Sequence, residues 1–278
     1  MPAVRLSPEL RVEYERLYDT CELRPERAAH VESAVTAVRA HQSRYQAVEA
    51  TTGVPWYFVA ATHRMEAGGR FDRHLHNGDP LTARTRQVPA GRPRIGAPPF
   101  TWEESAVDAL ALHGLSADTD WSLAGLLYQL ERYNGFGYRR FHPEVPSPYL
   151  WSFSRHYVSG KYVADGRWSD TAVSAQCGAA TLLRRLVEHG HVAFADQPAP
   201  AFDAAPLVVR FARRRPASPA VLAQAMNLQR WLNGFPGVFV KVDGWPGERT
   251  STAWRRVTGH YLPGDPRGAG EAGRLRGT

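Results

Sequence analysis

The sequence predicts a mainly α protein, α+β in its larger part with one β-hairpin, followed by a small C-terminal domain. Apolar residues recur at helical spacing in several segments of the first two hundred residues. Asn77-Gly78 is a strong hairpin signal in a polar, turn-rich stretch. The composition then shifts to Pro, Ala and Arg between residues 195 and 219, which indicates a linker. We therefore expect a large domain at 1–197, a linker at 198–203, a small domain at 204–265 and a flexible tail at 266–278.

The positive charge of the chain is concentrated in its last part. The 278 residues are 43% hydrophobic, enough for a sizeable core, and carry a net charge of +7. Residues 1–197 contain 22 basic and 22 acidic side chains, whereas residues 198–278 contain 12 and 5. A basic C-terminal part predicts a polyanionic partner, which leaves nucleic acid, a membrane surface or an anionic cell wall.

The two cysteines and the N-terminus bear on the compartment. Cys21 and Cys177 are too few and too far apart for a disulfide framework, so we expect two reduced, buried thiols. No apolar run reaches the length that spans a bilayer, so no membrane insertion is expected. The first ten residues lack the apolar core and cleavage site of a secretory signal. We expect synthesis in the cytoplasm without a signal peptide.

The remaining helices of the large domain are predicted from periodicity and end signals. Thr101 with Glu104 has the pattern of a capping box, and the helix that it opens should reach His113. Four further helices are predicted in the large domain: Ser7 to Thr20, Arg24 to about Thr52, Trp121 to Tyr133, and Trp168 to His189.

A short helix after Gly53 carries the strongest chemical signal. Trp56, Val59, His63 and Glu66 fall on one face, and Gly68-Gly69 ends the helix just beyond them. A carboxyl group at the end of a buried face is expected to be half-buried, which disfavours its ionised form and raises its pKa. Glu66 is therefore a candidate general acid.

A glutamate at a helix end beside a polar hairpin resembles the lysozyme superfamily, in which that glutamate is the general acid. Within this resemblance, Asp79 with Thr82 in the hairpin is similar to the partner residues of phage-type lysozymes. Thirteen positions separate Glu66 from Asp79, more than in the phage enzymes. Asp72, nearer in sequence, is the competing candidate for the second carboxylate.

The segment Tyr133-Asn134-Gly135-Phe136-Gly137-Tyr138 comes directly after an apolar helix. It resembles the Tyr-Asn-Ala-Gly element of goose-type lysozymes and lytic transglycosylases. The resemblance implies that Tyr133, Asn134 and Tyr138 bind the sugar chain near the catalytic glutamate, with His74 and His76 of the hairpin beside the cleft. The alternative is that Tyr133 belongs to the core and Asn134 caps its helix.

Metal-ligand residue types also cluster in this region. The set contains His63, Glu66, His74, His76 and Asp79. A His-x-His pair on a strand would place both rings on one face, as zinc sites often do. The spacing matches no recognised ligand signature, so we expect no metal and no cofactor. Histidines beside a sugar cleft, or in solvent, are the favoured interpretation.

The C-terminal part resembles the small three-helix peptidoglycan-binding domain. The segments that carry the resemblance are Asn227-Leu228-Gln229-Arg230-Trp231-Leu232-Asn233-Gly234, Val242-Asp243-Gly244-Trp245-Pro246-Gly247-Glu248-Arg249-Thr250, and Ala253-Trp254 with Val257. By this resemblance, the residues expected to bind the wall are Trp231, Asp243, Trp245 and Arg249. Leu228, Gly244 and Gly247 are expected to hold the fold.

The two resemblances together imply a peptidoglycan glycosidase, a muramidase that hydrolyses the MurNAc–GlcNAc bond with Glu66 as its acid. A lytic transglycosylase with the same glutamate and a non-catalytic wall-binding protein are the alternatives. Nucleic acid is not expected as a partner, because no recognised motif accompanies the basic tail. We expect a monomer that reaches the wall through a holin or a secretion system.

Overall fold

The computed structural model describes residues 4–164, 166–197 and 206–268, and the chain divides into two compact units. The first unit comprises Met1–Glu15 and Cys21–Arg185, and the second comprises Arg16–Thr20 and Leu186–Thr278. The division at Arg185 lies twelve residues before the predicted end of the large domain. The predicted linker at 198–203 and the predicted tail from residue 269 onward lie outside the described residues.

The described residues are mainly helical, as the sequence predicts. In chain order, the helices are α1 (Pro8–Asp19), α2 (Ala28–Ala40), α3 (Gln42–Thr52), α4 (Trp56–Ala67), α5 (Trp102–Leu112), α6 (Leu123–Asn134), α7 (Gly137–Phe141), α8 (Pro148–Trp151), α9 (Ala179–Glu188), α10 (Pro219–Asn233) and α11 (Glu248–Thr258). Short 3₁₀ turns lie at Pro25–Arg27 and Pro266–Gly268. No helix within the described ranges is both long and apolar enough to cross a membrane.

Local end signals predicted several boundaries correctly. The Thr101 hydroxyl accepts a hydrogen bond from the Glu104 amide, and the Glu104 side chain bonds back to Thr101, so the capping box at α5 is confirmed. Gly68 adopts a left-handed conformation with φ of 61° and ends α4 where the sequence predicts. These signals depend on neighbouring residues alone, so the sequence contains all the information they require.

The predicted helix from Arg24 to Thr52 is interrupted. It divides into a 3₁₀ turn, α2 and α3, with the second break at His41, where φ is −116° and ψ is 17°. The His41 ring lies 4.7 Å from the Phe71 ring. Phe71 lies thirty positions after His41 in the chain. The helical spacing of apolar residues continues through the break, so that spacing did not predict it.

The predicted helix from Trp168 to His189 is wrong over its first half. Strand β2 (Arg167–Ser169) pairs antiparallel with β1 (Lys161–Ala164), with Tyr162 opposite Trp168. The Trp168 ring stacks on His142 at 3.4 Å, and α9 begins only at Ala179. Trp168 is thus held by a strand partner and a stacking partner that precede it in the chain.

The β-hairpin predicted at Asn77-Gly78 is reduced to a tight turn. One isolated bridge joins Arg73 and Pro80 across it. The amide of His74 donates to the carbonyl of Asp79 at 2.7 Å. The antiparallel strands of the described residues are β1 and β2, so the hairpin predicted at Asn77-Gly78 was wrong in its place.

The first unit buries the helix that carries Glu66. All eight residues from Trp56 to His63 are buried, and Phe58 and Val59 are fully inaccessible. His63 is buried in a neutral form. Its Nδ1 lies 3.1 Å from the Tyr45 hydroxyl and its Nε2 lies 3.1 Å from the Arg70 carbonyl. Burial lowers the pKa of His63 to about 4. Cys21 is buried and Cys177 half-buried, and no disulfide joins them within the described residues.

After residue 206, the described chain contains α10, α11 and the 3₁₀ turn, not three α-helices as predicted. Its core is apolar and continuous. The buried members are Val209, Ala225, Leu228, Trp231, Leu232, Val238, Val240, Ala253 and Leu262. Leu228 and Leu232, which belong to the segment that carries the resemblance, both face this core.

Candidate active site

Glu66 lies in the last turn of α4 with its carboxyl group half-buried. The phenolic hydroxyl of Tyr149 donates a hydrogen bond of 2.9 Å to Oε1 of Glu66. Tyr149 belongs to α8 and is itself buried. The Glu66 carboxyl group therefore has one oxygen fixed by a neutral donor.

The protonation of this pair is governed by burial. Burial raises the pKa of Glu66 from its ordinary value of 4.5 to about 7, and the Tyr149 hydrogen bond partly opposes the shift. Burial, reinforced by the charge of Glu66, raises the pKa of Tyr149 well above 10, so the phenol remains a donor. Because Oε1 accepts from Tyr149, a proton on Glu66 is favoured on Oε2. This arrangement is what a general acid requires near neutral pH.

Tyr133 of α6 also belongs to this cluster. Burial raises the pKa of Tyr133, and the charge of Glu66 adds to this shift. Tyr133 in turn contributes to the raised pKa of Tyr149. The Tyr133 hydroxyl is buried and makes no hydrogen bond within the described residues. Its ring stacks on His113 with centroids 3.9 Å apart. Tyr149 thus bonds directly to the carboxyl group, and Tyr133 interacts with it electrostatically while its own buried hydroxyl keeps unused hydrogen-bonding capacity.

Tyr149 and His113 have no role in the sequence predictions. Tyr149 lies 83 positions after Glu66 in an aromatic stretch without helical periodicity, so no spacing rule connects the two residues. The sequence did show a concentration of aromatic residues from Tyr149 to Trp151. That concentration was a usable signal for a site wall, because amphipathic tyrosines occur where one end is apolar and the other polar.

Asn134 and Tyr138 do not join the Glu66 cluster in the way the sequence predicts. Asn134 is the last residue of α6 and is exposed, not on the buried side. The Tyr138 hydroxyl accepts a hydrogen bond of 3.4 Å from the Tyr162 amide, and its ring packs edge-on against Trp168. Tyr138 therefore supports the β1–β2 sheet. Asn134 remains accessible to a ligand.

Asp79 anchors the loop after the tight turn. Its Oδ2 accepts hydrogen bonds from the amides of Arg86 and Gln87, at 2.8 and 3.1 Å, and from the side chain of Asn77. These hydrogen bonds, led by the Arg86 amide, lower the pKa of Asp79. The carboxylate is thus ionised and occupied by the loop, which favours a structural role for it. Thr82 is exposed beside the same loop.

Asp72, the competing carboxylate, is an exposed partner of two arginines. It pairs with Arg70 at 2.8 Å and with Arg73 at 3.8 Å. The hydrogen bond from Arg70 is the main cause of its lowered pKa. Neither Asp72 nor Asp79 is among the causes of the Glu66 pKa shift, which are burial and Tyr149.

His74 and His76 are buried in a polar network and do not flank an open cleft. The His74 ring nitrogens lie 2.8 Å from Ser105 Oγ and 2.8 Å from the Ala83 carbonyl. His76 Nε2 lies 2.8 Å from Asp108, which also pairs with Arg92. Because both nitrogens of His74 are occupied inside the protein, the structure argues against direct sugar binding by these rings and assigns them to the support of the loop.

Nowhere in the described part of the chain do three or more His, Cys, Asp or Glu side chains group as a metal site would require. Of the candidate set, His63 bonds to Tyr45 and Arg70, and the other histidines bond to their own network. The five residues are thus divided among separate interactions.

In the C-terminal part, Gln229 organises the loop that contains Asp243 and Trp245. Its Nε2 donates to Asp243 Oδ1, the Trp245 carbonyl and Thr250 Oγ1 at 3.0–3.1 Å. Its Oε1 accepts from the amides of Asp243 and Gly244. The Asp243 carboxylate also accepts from the Trp245 amide, so Asp243 shapes the turn. This residue was expected to bind the wall, and its hydrogen bonds favour a structural role.

The other three predicted wall-binding residues divide between core and surface. Trp231 is buried and packs against Phe235 and Trp254, which makes it a core residue. Trp245 is 41% exposed while its indole N–H donates to the Ala212 carbonyl at 2.9 Å. Arg249 is exposed on α11. Trp245 and Arg249 are therefore the two that a ligand can reach.

Comparison of the chain with protein-family models, with curated proteins and with solved structures found no match. The residues of the chain and their geometry therefore carry the functional assignment.

Proposed function

We propose that the protein cleaves the glycan strand of peptidoglycan, with Glu66 as the proton donor to the leaving oxygen. The observation that carries this proposal is the half-buried Glu66 carboxyl group, whose pKa burial raises to about 7 while Tyr149 fixes its Oε1. A glycosidase acid must hold a proton near neutral pH and release it in the transition state. Tyr133, whose pKa the charge of Glu66 helps to raise and whose hydroxyl makes no hydrogen bond in the described part of the chain, adds a polar group to this cluster.

The choice of peptidoglycan as substrate rests on the C-terminal part. The surplus of positive charge lies after residue 197, where the chain resembles peptidoglycan-binding domains. Within the segment that carries this resemblance, Gln229 holds the following loop through its hydrogen bonds, and Asn233 bonds to both backbone groups of Val240. A basic wall-binding part would hold the enzyme on its anionic, insoluble substrate.

The two chemical outcomes of cleavage differ in the step after protonation. A muramidase needs a carboxylate or a positioned water on the far side of the sugar. A lytic transglycosylase needs only the one glutamate, because the muramic acid's own 6-hydroxyl attacks and an anhydro end forms. Asp72 pairs with arginines and the Asp79 carboxylate holds a loop, so both carboxylates that could assist hydrolysis are engaged elsewhere. This observation supports the lytic transglycosylase as a second candidate beside the muramidase.

The decisive experiment is mass spectrometry of the fragments that the purified protein releases from isolated sacculi. Reducing muramic acid ends identify the hydrolase, whereas 1,6-anhydro ends identify the transglycosylase. Release must disappear in Glu66→Gln and persist in Glu15→Gln, which changes an exposed glutamate on α1. If the wild type releases no fragments, the proposed catalysis is wrong and the non-catalytic wall-binding protein is the better interpretation.

A further inference from the structure

A concave pocket lies in the second unit between the loop at residues 237–239 and helix α11. Its volume is about 350 Å³, near the lower end of the roughly 300–1,000 Å³ that small-molecule sites occupy. Asn233, at the end of α10, fixes the loop, since its amide group bonds to the carbonyl and the N–H of Val240 at 2.8 and 2.7 Å. The pocket is thus built on restrained backbone.

Arginines dominate the charge of this pocket. Arg249, Arg256 and Arg267 line it together with one carboxylate, that of Glu248. Arg267 is engaged inside the protein, because it donates to Asp265 at 2.7 Å and to the Glu248 carbonyl at 3.1 Å. Arg249 and Arg256 are both exposed. Within the described residues, no carboxylate lies within ion-pairing distance of Arg256, so its charge is available to an anion.

Gly237 makes room for the Arg256 guanidinium. Its φ is +75°, and a Cβ placed there would lie 2.8 Å from Nη2 of Arg256. A side chain at this position would therefore displace the guanidinium from the loop. The planar guanidinium of Arg256 suits a carboxylate or a phosphate, because it can bind either one through two parallel hydrogen bonds.

The other side of the pocket is apolar. Val238 and Ala253 are buried beneath it, and the half-buried Phe239 adds an aromatic wall. A free phosphate would leave this apolar surface unused. A carboxylate that carries a small apolar side chain would satisfy the arginines and cover the apolar wall at the same time.

We propose that this pocket binds the C-terminal carboxylate of a short peptide that ends in a small apolar residue. Arg256 and Arg249 hold the carboxylate, and Val238 and Ala253 contact the last side chain. The assignment deepens the proposed wall-binding role and rests on it, since uncrosslinked wall peptides end in the carboxylate of an alanine. It gives the C-terminal part a specific ligand in addition to a general attraction by charge.

The test is calorimetric titration of the full chain with N-acetyl-D-alanyl-D-alanine, its C-terminal amide and inorganic phosphate. The acid should bind saturably and the amide about tenfold more weakly, since a charge-assisted hydrogen bond is lost. Phosphate should not displace the dipeptide at equal concentration. Equal binding of acid and amide, absence of binding at millimolar concentration, or displacement by phosphate would each overturn the peptide assignment.

A matched pair of variants locates the site. Arg256→Gln should weaken the dipeptide by about tenfold. Arg255→Gln removes the same charge from the same helix outside the pocket, where Arg255 contacts Tyr261, and should leave binding unchanged. Equal effects of the two changes would contradict the pocket. Binding is measured without glycan cleavage, so failure of the Glu66 proposal and failure of this one are separate results.

Discussion

The Tyr149 hydroxyl donates to Oε1 of Glu66 across 2.9 Å, so a buried phenol on one short helix lowers the proton affinity of a carboxyl group at the end of another. The hydrogen bond stabilises the ionised carboxylate and opposes the larger effect of burial. The pair has a pKa near neutrality because these two effects act in opposite directions. Removing the phenol should therefore raise the pKa of Glu66.

Tyr149→Phe should move the alkaline limb of the activity profile to higher pH by about one unit, because a hydrogen bond to the charged form is lost. In the proposed reaction Glu66 must be protonated, so the variant should retain activity at a pH where the wild type loses it. The measurement is the rate of sacculus solubilisation between pH 5 and 9. An unchanged alkaline limb would show that Tyr149 does not set the pKa that governs catalysis.

Glu66→Gln should abolish cleavage and stabilise the fold at alkaline pH. The folded pKa of about 7 lies above the ordinary value of 4.5. The stability that the protonated group contributes is therefore complete below pH 4.5 and lost as pH rises through 7. Because the group is half-buried, we expect the variant to gain only about 1–2 kcal/mol over the wild type at pH 8.

Urea denaturation of both proteins at pH 4.5 and at pH 8 measures this difference. At the lower pH the two should unfold at similar urea concentrations, since the protonated carboxyl group and the amide are then both neutral. A stability difference that does not change with pH would remove burial of Glu66 as the cause of its pKa shift. Residual cleavage within a few-fold of the wild type would remove Glu66 as the acid.

The sequence predicted Glu66 and missed Tyr149 for the same physical reason. Helix periodicity and the Gly68 end signal act over a few residues, so they locate a carboxyl group at the end of a buried face. The Tyr149 contact spans 83 positions and depends on how α8 packs. The same limit explains Trp168, whose strand and stacking partners precede it in the chain. No local pattern contains those partners.

Residue type also gave a poorer guide than environment in the loop after α4. His74 and Asp79 have the side chains of catalytic or metal sites, and the sequence pattern offers no reason to separate those roles from structural ones. Their partners in the structure are backbone groups and the side chains of Ser105 and Asn77, which hold the loop. Polar side chains near a turn often serve the backbone in this way.

The two aspartates near Glu66 can be separated by conservative substitution. We expect Asp79→Asn to keep activity within a few-fold, because an amide oxygen can still accept from the amides of Arg86 and Gln87. Asp72→Asn should also be tolerated, since it removes only exposed ion pairs. Rates on sacculi for the two variants check both expectations. A loss of about a hundredfold or more in Asp79→Asn alone would identify it as the second carboxylate of a hydrolase.

Gln229→Leu should destabilise the C-terminal part by about 2–4 kcal/mol, because several buried polar groups lose their partner at once. The amide of Gln229 serves Asp243, Gly244, Trp245 and Thr250. Thermal unfolding monitored by tryptophan fluorescence measures the loss. Gln224→Leu, an exposed change on the same helix, is the control and should have little effect. Equal stability of the two variants would contradict the central place of Gln229.

Salt should weaken the attachment of the full chain to sacculi without abolishing it. Exposed charges are screened over about 8 Å at physiological salt and over roughly half that distance at ~0.5 M. A pocket that also buries apolar surface loses only part of its affinity to screening. Sedimentation with sacculi, with Glu66→Gln used to prevent digestion, should therefore show partial retention at ~0.5 M. Complete release would mean that charge alone holds the protein on the wall.

Retention should fall further in Arg249→Gln/Arg256→Gln than in Arg213→Gln/Arg214→Gln, which removes the same charge from exposed positions outside the pocket. Equal loss in the two double variants would assign the attachment to general charge and leave the pocket without a role in it.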